Sequence, residues 1–360
     1  MKSKDFFNIS AFYFFFFSII GVYIIYLPKV LELKGYSSIE IGIIFAMSPL
    51  MRFLTPFLFL KHLHLTKKIF FYSLFLSIIS GLLFYVTIDN FYLFLIPNIL
   101  LGISFALILP YGETIALKNL GKEHYGKSRL FGSIGFIIVA LILAKYMDNP
   151  NYALNFLFFT ILFMAFFGYK IATNDKEFSQ QKSNFSLFLH WPFWVSAFLL
   201  QVSFGPFYNF FTIYETSHGL SYETISYLWT FGVICEIVML YFQTPLMKKN
   251  LLFLIKISIF SAIIRWFLLF LYPESIYILY FTQSLHAFSF ALYYSAAIAY
   301  LFYLYENKKL AQQFFGGISF GLGGFIGSIT AGFFYGEFLF LYAAIVALLA
   351  FLIILKEDLS

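Results

Sequence analysis

Residues 7–28 read FNISAFYFFFFSIIGVYIIYLP, 22 residues without a charged side chain. A helix of that length rises roughly 33 Å, enough to cross the ~30 Å hydrocarbon core of a bilayer, where no backbone group can be left unpaired. Lys2 and Lys4 ahead of it superficially resemble a signal peptide, but no small-residue cleavage site follows and many more apolar runs do. The stretch is therefore read as a first transmembrane helix. Similar runs cover 39–60, 69–86, 91–117, 125–144 and 153–171, then 192–214, 222–242, 251–272, 275–305, 314–334 and 338–355. Composition agrees, since 61% hydrophobic, 24% aromatic and 11% charged residues lie outside the range of soluble domains. The expected fold is all-α and membrane-embedded, with twelve transmembrane helices.

The net charge of +6 comes from Lys and Arg scattered singly between apolar runs, with no contiguous basic face, so nucleic acid is excluded as a partner. Cys235 is the single cysteine, which rules out an internal disulfide or thiolate metal site; neither metal nor cofactor is expected. Twelve spans put both termini on one side. Of the 23 basic residues, 18 fall on that side, three (Lys29, Lys34, Lys145) opposite, and two (Arg52, Arg265) within spans. The positive-inside bias then predicts cytoplasmic termini in a multi-pass protein of the inner (cytoplasmic) membrane. Only Thr173 to Ser186 is polar enough to be a linker. It divides the chain into an N-terminal six-helix bundle (1–172), a cytoplasmic linker (173–189) and a C-terminal six-helix bundle (190–360).

Sliding the second half against the first by 184 or 185 residues produces matches in several helices. Phe131, Gly132, Ile134 and Phe136 land on Phe315, Gly316, Ile318 and Phe320; Ser104 to Leu107 land on Ser289 to Leu292. Ser73, Phe75, Ile78, Ile79 and Leu83 meet Ser258, Phe260, Ile263, Ile264 and Leu268, while Gly35, Ser37 and Ile41 meet Gly219, Ser221 and Ile225. Agreement at nearly one offset indicates duplication into two pseudo-symmetric bundles, an architecture that exposes a midplane cavity to either side by rocking.

An ionisable group in hydrocarbon costs a few kcal/mol at least and is a functional hypothesis by default. The candidates are Arg52, Glu113, Arg129, Glu236, Arg265 and His286. At ~1.5 Å per residue, His286, Arg265 and Glu236 lie roughly 16, 10 and 21 Å below the outer ends of their helices, so they can meet near the middle. Arg265, His286 and Glu236 fall opposite Ser80, Leu101 and Arg52 in the repeat. The asymmetry suits a division of labour, one bundle handling the coupling ion and the other the substrate. A histidine exchanges protons in the physiological range, and a carboxylate switched by an approaching guanidinium is a usable proton carrier. The alternative for the three is a static buried ion pair. Glu113 follows Pro110 and Gly112, and with Arg129 it can bind a polar or anionic substrate group or form a salt bridge at the cytoplasmic rim. Arg52 reads as a gate or a snorkelling residue, and Tyr23, Tyr208, Asn209 and Gln313 complete the expected cavity, with Gly205 and Pro206 loosening the seventh helix.

Residues 125–136, Tyr-Gly-Lys-Ser-Arg-Leu-Phe-Gly-Ser-Ile-Gly-Phe, resemble the start of helix 5 in lactose-permease-like members of the major facilitator superfamily, particularly the phenylpropionate permease family. Tyr227-Leu228-Trp229 with Gly232 and Glu236, Arg265-Trp266, Gln283-Ser284-Leu285-His286, and Gly35 to Arg52 extend the resemblance over both halves. It implies the superfamily fold and a proton-coupled symporter, with Glu236, Arg265 and His286 coupling protons and Glu113 and Arg129 binding substrate; Gln283 is counted with the substrate-binding residues. The chain departs from the superfamily's acidic, glycine-rich loop between helices 2 and 3, because Lys61 to Lys68 contains neither Asp nor Gly.

The leading expectation is a monomeric permease that imports a small organic solute, an aromatic acid, sugar or nucleoside, with protons as coupling partners and the lipid bilayer as its environment. Efflux of drugs or metabolites by proton antiport is the second transport reading. A polytopic membrane enzyme would need a catalytic constellation in a loop; the longest loop offers only Asp175 and Glu177, so no enzyme activity is expected. No ring of repeated charge or filter sequence supports a channel.

Overall fold

The computed structural model describes residues 3–61, 66–147, 149–172 and 186–359, which are helical nearly throughout, with no strand among them. A first compact unit, Met1–Ser179, contains α1 (Lys4–Leu33), α2 (Ser38–Lys61), α3 (Lys67–Thr87), α4 (Phe91–Gly121), α5 (His124–Ala144) and α6 (Asn151–Ile171). A second, Gln180–Ser360, contains α7, α8 (Tyr222–Phe242), α9 (Leu251–Leu271), α10 (Ile276–Leu304), α11 (Leu310–Phe333) and α12 (Leu339–Glu357). The α7 helix is two 13-residue pieces, Trp191–Ser203 and Gly205–Ser217. Among the described residues 11 helices are individually long and apolar enough to span a bilayer. The two pieces of α7, end to end, supply the twelfth. The linker expected over 173–189 lies outside the described residues as far as residue 185, as do residues 62–65 of the basic loop after α2.

Helix starts follow from local sequence. Thr66, Asn90, Ser221, Asn250 and Asn307 precede α3, α4, α8, α9 and α11, and each side-chain oxygen accepts from the amide three residues on. Before α2, Ser37 N donates to Glu40 Oε2 at 2.8 Å and Glu40 N donates back to Ser37 Oγ at 3.3 Å, a reciprocal cap. Between α4 and α5 the chain turns at Gly121, whose φ of +70° only glycine adopts readily.

The duplication is visible in backbone geometry. Gly35 ends α1 with φ +90° and Gly219 ends α7 with φ +88°. Around each, the last carbonyls are closed in the same way: Tyr36 N to Leu31 O and Leu220 N to Glu215 O at 3.1 Å, with Gly35 N to Glu32 O at 2.9 Å and Gly219 N to Thr216 O at 3.1 Å. Midway along, Gly21 packs α1 on α5, where an added Cβ would meet Val139 at 2.8 Å; Gly205, 184 residues on, packs α7 on α11 against the Gly327 backbone. Small residues let helices approach closely where lipid supplies no hydrophobic drive to associate. Both helices then lose regularity. A π turn, Val22–Tyr26, follows Gly21, and α7 breaks at Phe204, where Pro206 has no N–H to give the Val202 carbonyl. Two further π segments, Ala287–Leu292 in α10 and the glycine-rich Gly316–Gly323 in α11, belong to the second unit alone.

Candidate functional site

The second unit gathers four of its polar candidates. Arg265 on α9 is wholly buried, with Nη1 2.9 Å from His286 Nδ1 and Nη2 donating to Gln283 Oε1 at 3.0 Å. His286 Nε2 lies 3.7 Å from Glu236 Oε2 on α8. A guanidinium has donors only, so Nδ1 of His286 is the acceptor and the neutral ring carries its hydrogen on Nε2, facing Glu236. The order is fixed by chemistry: guanidinium, imidazole, carboxylate. His286 is the last residue before the π segment of α10, and its ring stacks flat on Phe290, 5.1 Å between centres and 4° between planes. The Arg265 guanidinium carbon sits 4.1 Å from the Phe207 ring centre and 4.5 Å from that of Trp266, which fixes the fork between aromatic faces. Trp266 is itself held by its Nε1 donating to Ser203 Oγ at 3.2 Å.

The first unit has a neutral counterpart in the same place. Tyr23, Asn98 and Ser80 stand opposite Phe207, Gln283 and Arg265 at offsets of 184, 185 and 185 residues. There the Tyr23 hydroxyl donates to Asn98 Oδ1 at 2.6 Å, Asn98 Nδ2 to Phe94 O at 2.7 Å, and Ser80 Oγ to Pro97 O at 2.8 Å. One framework therefore carries a closed neutral network in one unit and a charged one in the other. In the charged network Arg265 Nε and Gln283 Nε2 are buried donors without a hydrogen-bond partner.

Elsewhere in the first unit, Arg129 Nη1 of α5 donates to Glu113 Oε1 of α4 at 2.6 Å, both side chains about one-third exposed (37% and 30%). The Arg129 guanidinium lies 5.2 Å from the Phe17 ring centre and 5.8 Å from that of Tyr13. Arg52 is half-buried on α2. The remaining candidates are placed less suggestively. Asn209 is buried and its Nδ2 donates to Gly205 O at 3.0 Å and Ser328 Oγ at 2.8 Å, so it braces the break in α7 against α11. Tyr208 stacks on Phe204 at 5.5 Å, and Gln313 is exposed near the start of α11. Sequence reasoning passed over Asn98, which the repeat offset could have found opposite Gln283, and Phe204 and Phe207, whose aromatic character is lost among 54 phenylalanines.

Comparison with known proteins points one way. The model of the MFS_1 like family matches residues 6–344. The chain is 28% identical to the uncharacterized transporter YwbF of Bacillus subtilis (strain 168) over 301 residues, 79% of this chain and 73% of that protein. It is 25% identical to the probable 3-phenylpropionic acid transporter of Escherichia coli (strain K12) over 254 residues, 65% of this chain and 67% of that one. Among solved structures it is similar to the nucleoside transporter NupG, with a TM-score of 0.81, 16% identity and 99% of each chain covered; that likeness speaks to fold.

Proposed function

The chain belongs to the MFS_1 like family, and on that premise we propose that this multi-pass membrane transporter moves a small organic solute by proton-coupled symport. The single observation that carries the reading is the ordered contact Arg265, His286, Glu236. His286 can accept from Arg265 only while Nδ1 has no hydrogen. A proton added there turns acceptor into donor, expels the guanidinium, and leaves Arg265 to seek the nearest carboxylate, Glu236. Proton occupancy and side-chain pairing thus exclude one another, which is what a coupling device requires; a static ion pair would need no histidine between its charges.

For the solute we propose an aromatic carboxylate, bound in the first unit at Arg129. Support comes from the guanidinium lying beside Phe17 and Tyr13, with Glu113 as the partner that a solute carboxylate replaces, and from the relative whose name gives it 3-phenylpropionic acid as probable cargo. We place the protein in the cytoplasmic membrane with both termini inside, Arg52 serving as a gate.

The test uses purified protein in proteoliposomes without an imposed gradient. Adding 3-phenylpropionate should alkalinise the outside faster than in protein-free liposomes, which control for passive entry of the neutral acid. Solute uptake with no protein-dependent proton movement rejects symport. Glu236→Gln should still exchange internal for external solute while losing uphill accumulation; intact accumulation in that variant removes Glu236 from the mechanism.

A further inference from the structure

The turn that closes α7 repeats the closing hydrogen bonds at Tyr36 and Gly35 of the turn that closes α1, yet one of its residues is chemically out of place. In the first unit Leu31 supplies the terminal carbonyl and its side chain is wholly buried. The residue 184 positions on is Glu215, which makes the same backbone bond and is equally buried, at 0% exposure. Neither of its carboxyl oxygens has a hydrogen-bond partner. A lone ionised carboxylate does not persist in such surroundings; it takes up a proton.

No Lys or Arg of the connections at this end is available to hold the charge instead. Residues 183–247, 266–307 and 310–355 contain no Lys or Arg, and these stretches include all three connections at this end of the second unit. Next to Glu215 in sequence, the Tyr214 ring lies 4.4 Å from that of His218, and Tyr335 and Glu337, from the connection between α11 and α12, lie near the Tyr214 hydroxyl. His218 is occupied with Tyr214, its Nδ1 2.8 Å from the Tyr214 carbonyl. Glu223 at the start of α8 and Glu274 between α9 and α10 are exposed at the same end, as is Glu337. The corresponding end of the first unit is different in kind, with Lys34 on Asp89 at 2.7 Å and leucine inside.

We propose that Glu215 is a proton-binding site distinct from Glu236, a neutral acid seated in a leucine-shaped position and loaded from water through the exposed acidic mouth of Glu223, Glu274 and Glu337. The replacement of a core leucine by a carboxyl works against stability, and a site that takes and returns a proton is the function that retains it. The break in α7 at Phe204 gives the piece Gly205–Ser217 a joint about which the acid can be presented to water or withdrawn. The proposal does not depend on the coupling role of Glu236.

Infrared spectroscopy of the full chain in lipid nanodiscs tests it without a transported solute. The wild type should show a protonated-carboxyl C=O band that persists above neutral pH, lost in Glu215→Gln and Glu215→Leu and retained in Glu236→Gln. Glu215→Leu restores the side chain of the first unit and should unfold at a higher temperature than wild type, so the test survives if the glutamine variant does not fold. An unchanged band in both Glu215 variants overturns the proposal. So does a band that shifts when sodium replaces potassium, which assigns the site to sodium. Loss of coupling in Glu236→Gln with the acid band intact leaves the two readings separately decided.

Discussion

Arg265 organises the charged cluster because it can only give hydrogen bonds, and its two acceptors, His286 Nδ1 and Gln283 Oε1, lie on one helix three residues apart. A lysine keeps the charge but offers a point where the guanidinium offers a planar fork, and it also loses the stack on Phe207. Each charged hydrogen bond contributes about 1.5–3 kcal/mol. Arg265→Lys should therefore insert and fold but accumulate solute roughly ten- to a hundredfold less than wild type. Uphill uptake near the wild-type rate would detach Arg265 from coupling. The cluster was legible in sequence because charge is scarce in lipid: each ionisable residue in a span stands out, and helix depth leaves Glu236, Arg265 and His286 able to meet near the middle. Its neutral counterpart in the first unit was legible only in part: Tyr23 was expected in the cavity, whereas Asn98 carries no charge and does not stand out in a span. Glu215 was hidden for another reason. Hydropathy ends the seventh span at Tyr214, just before Glu215, whereas the helix runs on to Ser217 ahead of the turn at Gly219.

The helices themselves were nearly all readable, because a bilayer imposes their length and forbids unpaired backbone between their ends. What periodicity does not report is irregularity within a helix. Gly205 and Pro206 signalled a loosened α7, and the interruption falls at Phe204; what the sequence did not report is the packing, in which the Gly205 backbone lies against Gly327 so closely that only hydrogen fits on its Cα. The π segment of α11 begins with Gly316, around which an added Cβ would meet nothing within 4 Å. The two glycines thus make opposite forecasts. Gly205→Ala forces α7 off α11 and should lower the unfolding midpoint, at a cost of about 1–3 kcal/mol or more because a backbone carbonyl cannot step aside as a side chain can. Gly316→Ala removes only backbone freedom and should be neutral or stabilising by about 0.5–1 kcal/mol. Thermal unfolding of the two variants in the same detergent checks the pair, and equal midpoints would contradict the contact between α7 and α11.

Duplication constrains the chain more strongly than any single motif, since the two units share matched glycine turns at Gly35 and Gly219 and matched close-packed glycines at Gly21 and Gly205. On the proposed topology both termini lie inside, the side to which 18 basic residues are assigned against three opposite. The arrangement makes a demand at every connection. With Cys235 replaced by serine, single cysteines at Asp89 and Glu274, in the connections after α3 and α9, should react with a membrane-impermeant maleimide added to intact cells. Cysteines at Thr244 and Glu306, in the connections after α8 and α10, should react only after the membrane is opened. All four native side chains are exposed, so access and not burial governs the result. Labelling from the wrong side at any of the four positions overturns the proposed topology.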